Sequence, residues 1–254
     1  MFLSVVIPAY NEEARLPLTL GRVLEYLDNR QGGGEILVVN DGSSDGTAEA
    51  AAGFVSRVTL LENPGNRGKG YSVRHGMLKA QGDWVLFSDA DLSAPIEECE
   101  KLLAATEQGG YEVAIGSRAL DRSLIGVHQS VFRENAGRVF NLLMRLLTGL
   151  TFKDTQCGFK LFSRRAAQEI FRRQRLERFG FDVEVLYLAQ KLGFAAVEVP
   201  VRWNHSEGTK VSMLGDSLEM FLDLWRVRRN DRRGLYDMPA ETVTPVCGST
   251  GPRP

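Results

Sequence analysis

The chain has 254 residues, 43% of them hydrophobic, and sets 31 basic against 32 acidic side chains for a net charge of −1. That is core enough for one large domain or a domain with an appendage, and the charge balance argues against a nucleic-acid partner. Three cysteines (Cys99, Cys157 and Cys247) match neither a disulfide framework nor a zinc-ligand spacing, which points to a reducing compartment, and no run of 18 apolar residues is present to span a membrane.

Met1 to Ala9 is apolar, lacks a basic flank and meets Pro8 early, so it reads as a first strand and not a signal peptide. Leu3 to Ile7 is its extended part. An amphipathic helix is expected from about Glu12 to Asn29, broken by Gly32-Gly33-Gly34. Glu35 to Val39 is a second buried strand. It ends at Asn40-Asp41-Gly42-Ser43-Ser44-Asp45-Gly46-Thr47, where Ser43, Ser44 and Asp45 are all good N-caps for the Ala-rich helix that follows. Val58 to Leu61 is a third strand, and the loop Asn63 to Gly70 leads to a helix from about Tyr71 to Ala80. Trp84 to Ser88 is a fourth strand; Pro95 stands near the first turn of the next helix, and Tyr111 to Ile115 is a further strand. The last stretch, from residue 236 or 237 to Pro254, is rich in Pro, Gly and Thr without apolar periodicity and is expected to be a disordered tail.

Strands alternating with helices imply a mostly parallel, doubly wound α/β sheet, whose ligands bind beyond the C-terminal strand ends. Four such ends carry polar residues: Tyr10 to Glu12, Asp41, Asp89-Ala90-Asp91, and Ser117-Arg118. On an extended chain Asp89 and Asp91 share one side, and two hard oxygen ligands suit Mg²⁺ or Mn²⁺ with positions left for phosphates. Alone, the pair could equally be a solvated turn. Its place among the other three ends favours a nucleotide-diphosphate site, with Arg118 countering phosphate charge. The loop Gly65-Asn66-Arg67-Gly68-Lys69-Gly70 fits neither a Walker nor a dinucleotide-binding pattern; it either brings Lys69 near the nucleotide or leaves it on the surface.

In this order, Val5-Val6-Ile7-Pro8-Ala9-Tyr10-Asn11-Glu12-Glu13, Val39 to Thr47 and Asp89-Ala90-Asp91 resemble the family 2 glycosyltransferases of GT-A fold. Asp154 to Phe162, Phe179 to Glu184, and Trp203 with Gly208-Thr209-Lys210 are similar to the polyprenyl-phosphate sugar transferases, nearest to the dolichyl-phosphate β-glucosyltransferases and next to the mannose synthases. The resemblance spans residues 1–229. It implies a GT-A domain over 1–235, with a nucleotide-sugar half (1–120) and an acceptor and membrane-facing half (121–235). The implied reaction is inverting transfer of a hexose from UDP-glucose, or secondarily GDP-mannose, to a polyprenyl phosphate. The implied place is peripheral, on the cytoplasmic side of a membrane. Pro8, Tyr10, Glu12 and Asp41 would hold base and ribose; Asp89, Ala90 and Asp91 the diphosphate and its Mg²⁺ or Mn²⁺; Arg118 the phosphates; Arg133 and Lys210 the lipid phosphate. Two positions depart from the mannose synthases: Ser93 replaces a Gln that serves them as a metal ligand, and His205 replaces an Arg.

Asp154 could orient an arginine, approach the sugar or shape its loop. Asp182 and Glu184 could serve the sugar side or the edge of the core. In Val139 to Leu150, Arg138, Asn141, Arg145 and Thr148 form one narrow polar stripe on an otherwise apolar helix, which suits a membrane interface or a buried packing position. A helix from about Met213 to Arg229 carries Phe221, Leu222, Leu224 and Trp225 and leads into an arginine cluster through Arg233, suited to an anionic lipid surface or to plain solvation. Two other readings are a transferase with a soluble or glycan acceptor and a nucleotide-sugar-binding regulator without turnover.

Overall fold

A computed structural model describes residues 1–54, 56–124, 144–204 and 215–237. Seven short apolar runs form one sheet: β1 (Leu3–Ala9), β2 (Gly34–Asn40), β3 (Val58–Glu62), β4 (Trp84–Ser88), β5 (Val113–Ser117), β6 (Phe159–Ser163) and β7 (Ala196–Pro200). Their order is β3-β2-β1-β4-β6-β5-β7. Only β6 runs antiparallel to its neighbours, pairing Phe159 with Ser88 and Lys160 with Phe87. The α/β, mostly parallel sheet expected from the alternating pattern is therefore present. The strand β6 lies between β4 and β5, so residues from both sides of position 120 build one continuous sheet.

The named helices are α1 (Leu16–Asn29), α2 (Thr47–Ala52), α3 (Lys69–Lys79), α4 (Cys99–Gly109), α5 (Arg164–Arg173), α6 (Phe181–Lys191) and α7 (Gly215–Arg232), and 144–148 form a further helical turn. Side chains alternate across each strand, which divides the core in two. Leu3, Val5 and Ile7 pack with α1 and α4; Val6, Val39 and Phe87 pack with α3, α5 and α6. The helix α1 starts four residues later than expected. Pro17 stands in its first turn, where a missing N–H costs nothing, and Glu12 to Arg15 turn before it. Strand β5 starts at Val113 and not Tyr111, because Gly110 closes α4 in the left-handed region and the ladder to β7 begins at Ala196. None of Ser43, Ser44 and Asp45 is the N-cap of α2; that residue is Gly46.

Two expectations on the second half change. Tyr236, placed at the start of the tail, is fully buried and donates to Glu184 at 2.6 Å. Thr148, assigned to a polar stripe, is buried and donates to the Met144 carbonyl at 2.6 Å, while Leu146 and Leu147 face solvent. The rest of that helix, 138–143, lies outside the described residues, as does 238–254. Among the described residues no helix is long and apolar enough to cross a membrane.

Candidate active site

The loops after β1 and β2 are tied together before any ligand is considered. Ser43 Oγ accepts from Asn11 N (2.9 Å), Asn11 Oδ1 accepts from Ser44 N (2.8 Å), and Thr47 Oγ1 accepts from Glu12 N (2.7 Å). Asn11 takes φ +55°, a left-handed conformation that Asn tolerates better than most residues. These bonds explain the serines of the Asn40-to-Thr47 motif: they hold the neighbouring loop. Pro8 is the last residue but one of β1, the exposed Tyr10 follows the strand, and Glu12 pairs with Arg15.

Asp41 turns inward. Its buried carboxylate accepts from Asn63 Nδ2 (2.7 Å), Arg67 N (3.0 Å) and Gly68 N (2.7 Å). It thereby folds the loop that carries Lys69. Gly68 needs to be glycine: its φ is +106°, and a Cβ there would stand 2.6 Å from the Glu177 carbonyl. Lys69 opens α3 and reaches Asp89 Oδ1 at 2.6 Å, so it is ion-paired with the first aspartate and not a free surface lysine. Burial pulls the lysine toward the neutral form, but Asp89, Asp182 and Asp91 outweigh it and hold it protonated above the ordinary lysine range.

The carboxylates are not placed by strand alternation. Strand β4 ends at Ser88, and Asp89 to Leu92 is a turn, with Leu92 N donating to the Asp89 carbonyl (3.2 Å). Leu92 takes φ +45°, strained for a bulky residue. Ser93 N donates to Asp91 Oδ1 (2.9 Å), and Thr19 Oγ1 donates to the Ala90 carbonyl (2.6 Å), so both ends of the turn are anchored. Ser93 thus orients the second aspartate through its backbone. Asp89 N donates to the Gly158 carbonyl (3.0 Å), and a Cβ on Gly158 would overlap the Asp89 carboxylate. Two partly exposed carboxylates fit a Mg²⁺ or Mn²⁺ that takes its other ligands from phosphates and water. No cage of three or more His, Cys, Asp or Glu side chains exists among the described residues.

Arg118 follows β5. Asp154 grips it with both oxygens, from Nε (2.6 Å) and Nη2 (2.8 Å), and accepts its backbone N–H as well (3.0 Å). The guanidinium carbon lies 4.9 Å from the centre of the Trp203 ring. Burial would raise the Asp154 carboxyl, but Arg118 outweighs it and holds it below the ordinary range. Of the three roles open to Asp154, orienting an arginine is the one the geometry supplies. Asp182 is buried and bonded to Lys160, which is itself fully buried and also donates to the Cys157 carbonyl (2.6 Å). Glu184 is a core residue, accepting from Arg175 N (3.0 Å) and Leu176 N (2.8 Å). Arg133 and Lys210 lie outside the described residues. Lys160 is the charged residue that sequence reading passed over; a lysine inside the apolar run Phe159 to Phe162 is the signal, since a buried ammonium requires a partner.

The glycosyl transferase family 2 model matches residues 4–171, a span that includes Asp41, Lys69, Asp89, Asp91, Arg118 and Asp154. The chain belongs to glycosyl transferase family 2. Among curated family members, the dolichyl-phosphate beta-glucosyltransferase of Drosophila melanogaster is 41% identical over 241 residues, 89% of this chain and 74% of the relative. That of Homo sapiens is 37% identical, covering 92% of this chain and 77% of the relative. That of Saccharomyces cerevisiae is 35% identical, covering 93% and 77%. Among solved structures, mannosyl-3-phosphoglycerate synthase from Rubrobacter xylanophilus has a TM-score of 0.65 at 21% identity, covering 96% of this chain and 79% of that one. Glucosyl-3-phosphoglycerate synthase from Mycobacterium tuberculosis, solved with Mg²⁺ and UDP, has a TM-score of 0.64 at 18% identity, covering 90% and 79%. At those identities the two structures speak for the glycosyltransferase fold alone.

Proposed function

We propose that this family 2 glycosyltransferase moves glucose from UDP-glucose to a polyprenyl phosphate, with inversion, at the cytoplasmic face of a membrane. The observation that carries the reading is the convergence of Asp89 with Lys69, and of Arg118 with Asp154, at the C-terminal strand ends. That is a diphosphate cradle, and it stands in a chain whose curated relatives are named for glucosyl transfer to dolichyl phosphate.

Pro8, Tyr10 and Glu12 face the base and ribose, and Asp41 serves them through the loop it holds. Asp89 and Asp91 would hold Mg²⁺ or Mn²⁺, which when bound offsets the charge of the diphosphate. Lys69, which stands beside Asp89, would offer its ammonium group to the phosphates. The acceptor is a phosphate monoester, doubly ionised near neutral pH because its second pKa is about 6, so no general base is required. Its oxygen forms a bond to the anomeric carbon as the bond to the diphosphate breaks on the opposite face. Arg118, fixed by Asp154, meets charge as it develops on the leaving group, and Arg133 and Lys210 receive the acceptor phosphate.

The test is product analysis with UDP-glucose, GDP-mannose and other radiolabelled nucleotide sugars against a polyprenyl phosphate. Label partitioning into the organic phase from UDP-glucose is the expected result. Label passing only to water or to a soluble acceptor would overturn the acceptor, and label from GDP-mannose alone would overturn the donor.

A further inference from the structure

The C-terminal half of α7 carries an unusual surface. Leu222, Trp225, Arg229 and Arg232 follow one another at i, i+3, i+7 and i+10, so they form one stripe of the helix. Trp225 is 56% exposed and Leu222 50% exposed. Across from the stripe stands the 144–148 turn, whose Met144 and Thr148 point into the core and whose Leu146 is 72% exposed. Between them lies a groove of about 450 Å³, walled by Leu146, Leu147 and Trp225 and rimmed by arginines 228, 229, 232 and 233.

The arginines differ in what they already hold. Arg226 is paired with Asp223 (2.7 Å), and Arg228 donates to the Tyr187 hydroxyl (2.9 Å). Arg229 stacks on Trp225, its guanidinium carbon 5.1 Å from the ring centre, and its buried Nε has no hydrogen-bond partner. Among the described residues no carboxylate pairs with Arg229, Arg232 or Arg233. A solvated helix end would not need exposed leucine and tryptophan beside its charges. An apolar floor with unpaired guanidinium groups around it matches the boundary of an anionic bilayer, where a Trp ring sits at headgroup level and Arg binds phosphate oxygens in pairs.

The groove is separate from the catalytic cradle. The Asp223 side chain packs against Gly180, which leads into α6 just past the Glu177–Arg178 loop that supports Gly68. From Asp223 the helix runs on nine residues to Arg232, about 14 Å at the α-helical rise. We infer that the groove between the 144–148 turn and the C-terminal half of α7 binds anionic phospholipid headgroups, seating the enzyme on the bilayer independently of its acceptor lipid. This rests on the membrane reading proposed above.

The experiment is flotation of the full chain with vesicles of phosphatidylcholine alone and of phosphatidylcholine with phosphatidylserine. Wild type should float with the second and not the first, less so as salt rises. Arg232→Glu with Arg233→Glu should lower partitioning at least about tenfold; Trp225→Ala and Leu146→Glu should lower it severalfold. All of these side chains border solvent, so urea midpoints and glucose transfer to polyprenyl phosphate in detergent micelles should stay at wild-type level. Equal flotation of wild type and variants would overturn the inference. So would binding that depends on polyprenyl phosphate but ignores phosphatidylserine, or a wild-type dimer that Leu146→Glu dissociates. Loss of transfer in micelles by every protein, with flotation intact, would instead refute the proposed acceptor and leave the groove standing.

Discussion

Lys69 Nζ stands 2.6 Å from Asp89 Oδ1, so the carboxylate proposed for the metal is neutralised by a cation of the chain's own. A Mg²⁺ or Mn²⁺ held by Asp89 would compete with this ammonium group for the same carboxylate. Lys69→Met should raise the affinity of the nucleotide-free enzyme for Mn²⁺ roughly fivefold, as judged from the worth of a partly exposed ion pair. The same variant should bind UDP more weakly. Electron paramagnetic resonance of Mn²⁺ reads the first effect and calorimetry the second; unchanged Mn²⁺ affinity would show that Lys69 does not compete. Asp91→Ala should lower transfer about 10³-fold with little change in the urea midpoint.

Gly158 lies beside Asp89 because β6 runs antiparallel against β4, which sets the end of one strand next to the start of the other. Gly158→Ala places a methyl group on the Asp89 carboxylate. The aspartate should be pushed out of place, with a stability loss of about 1–3 kcal/mol. Mn²⁺ binding should weaken more than the urea midpoint moves. A fully active Gly158→Ala enzyme would mean that Asp89 has another productive orientation.

Asp154 fixes the fork of Arg118 with two hydrogen bonds and its backbone N–H with a third. Asp154→Asn keeps the shape and removes the charge. Transfer should fall on the order of 10²-fold, mainly in kcat, because a loosened Arg118 meets the leaving group late. The fold should lose about 2 kcal/mol, since Arg118 keeps only part of its bonding. A loss confined to the KM for UDP-glucose would move Arg118 from leaving-group stabilisation to ground-state binding.

Burial pushes the Glu184 carboxyl up to about 7, against the bonds from Tyr236, Leu176 and Arg175 that favour its charged form. A carboxyl raised in the folded state binds its proton more tightly there than in the unfolded chain. Its contribution is complete below the ordinary glutamate pKa and is lost as pH rises through about 7. Glu184→Gln should flatten the urea midpoint between about pH 4.5 and pH 7 and stabilise the enzyme above it by up to about 3 kcal/mol. Gln can still bond Tyr236, whose hydroxyl both donates and accepts. A midpoint that still falls across that window in the variant would assign the dependence to another group.

The sequence by itself determined the parallel α/β sheet and the polar strand ends, because apolar runs of strand length and their turn residues are local signals. It also marked Asp89, Asp91, Arg118 and Asp154, whose residue types and order identify the family. Tertiary structure alone decided what each touches. Asp154 and Arg118 are 36 residues apart and meet because β6 is inserted between β4 and β5. Asp41 clamps the Lys69 loop through bonds to residues 22 to 27 positions away. Glu184, in the first turn of a helix whose buried face is unusually wide, could not be told from a site carboxylate by its neighbours in sequence; its depth and its bond to Tyr236 make it a core residue. The groove at the end of α7 follows the same rule. Its arginines and its leucines come from segments some 80 residues apart, and only packing against one core brings them face to face.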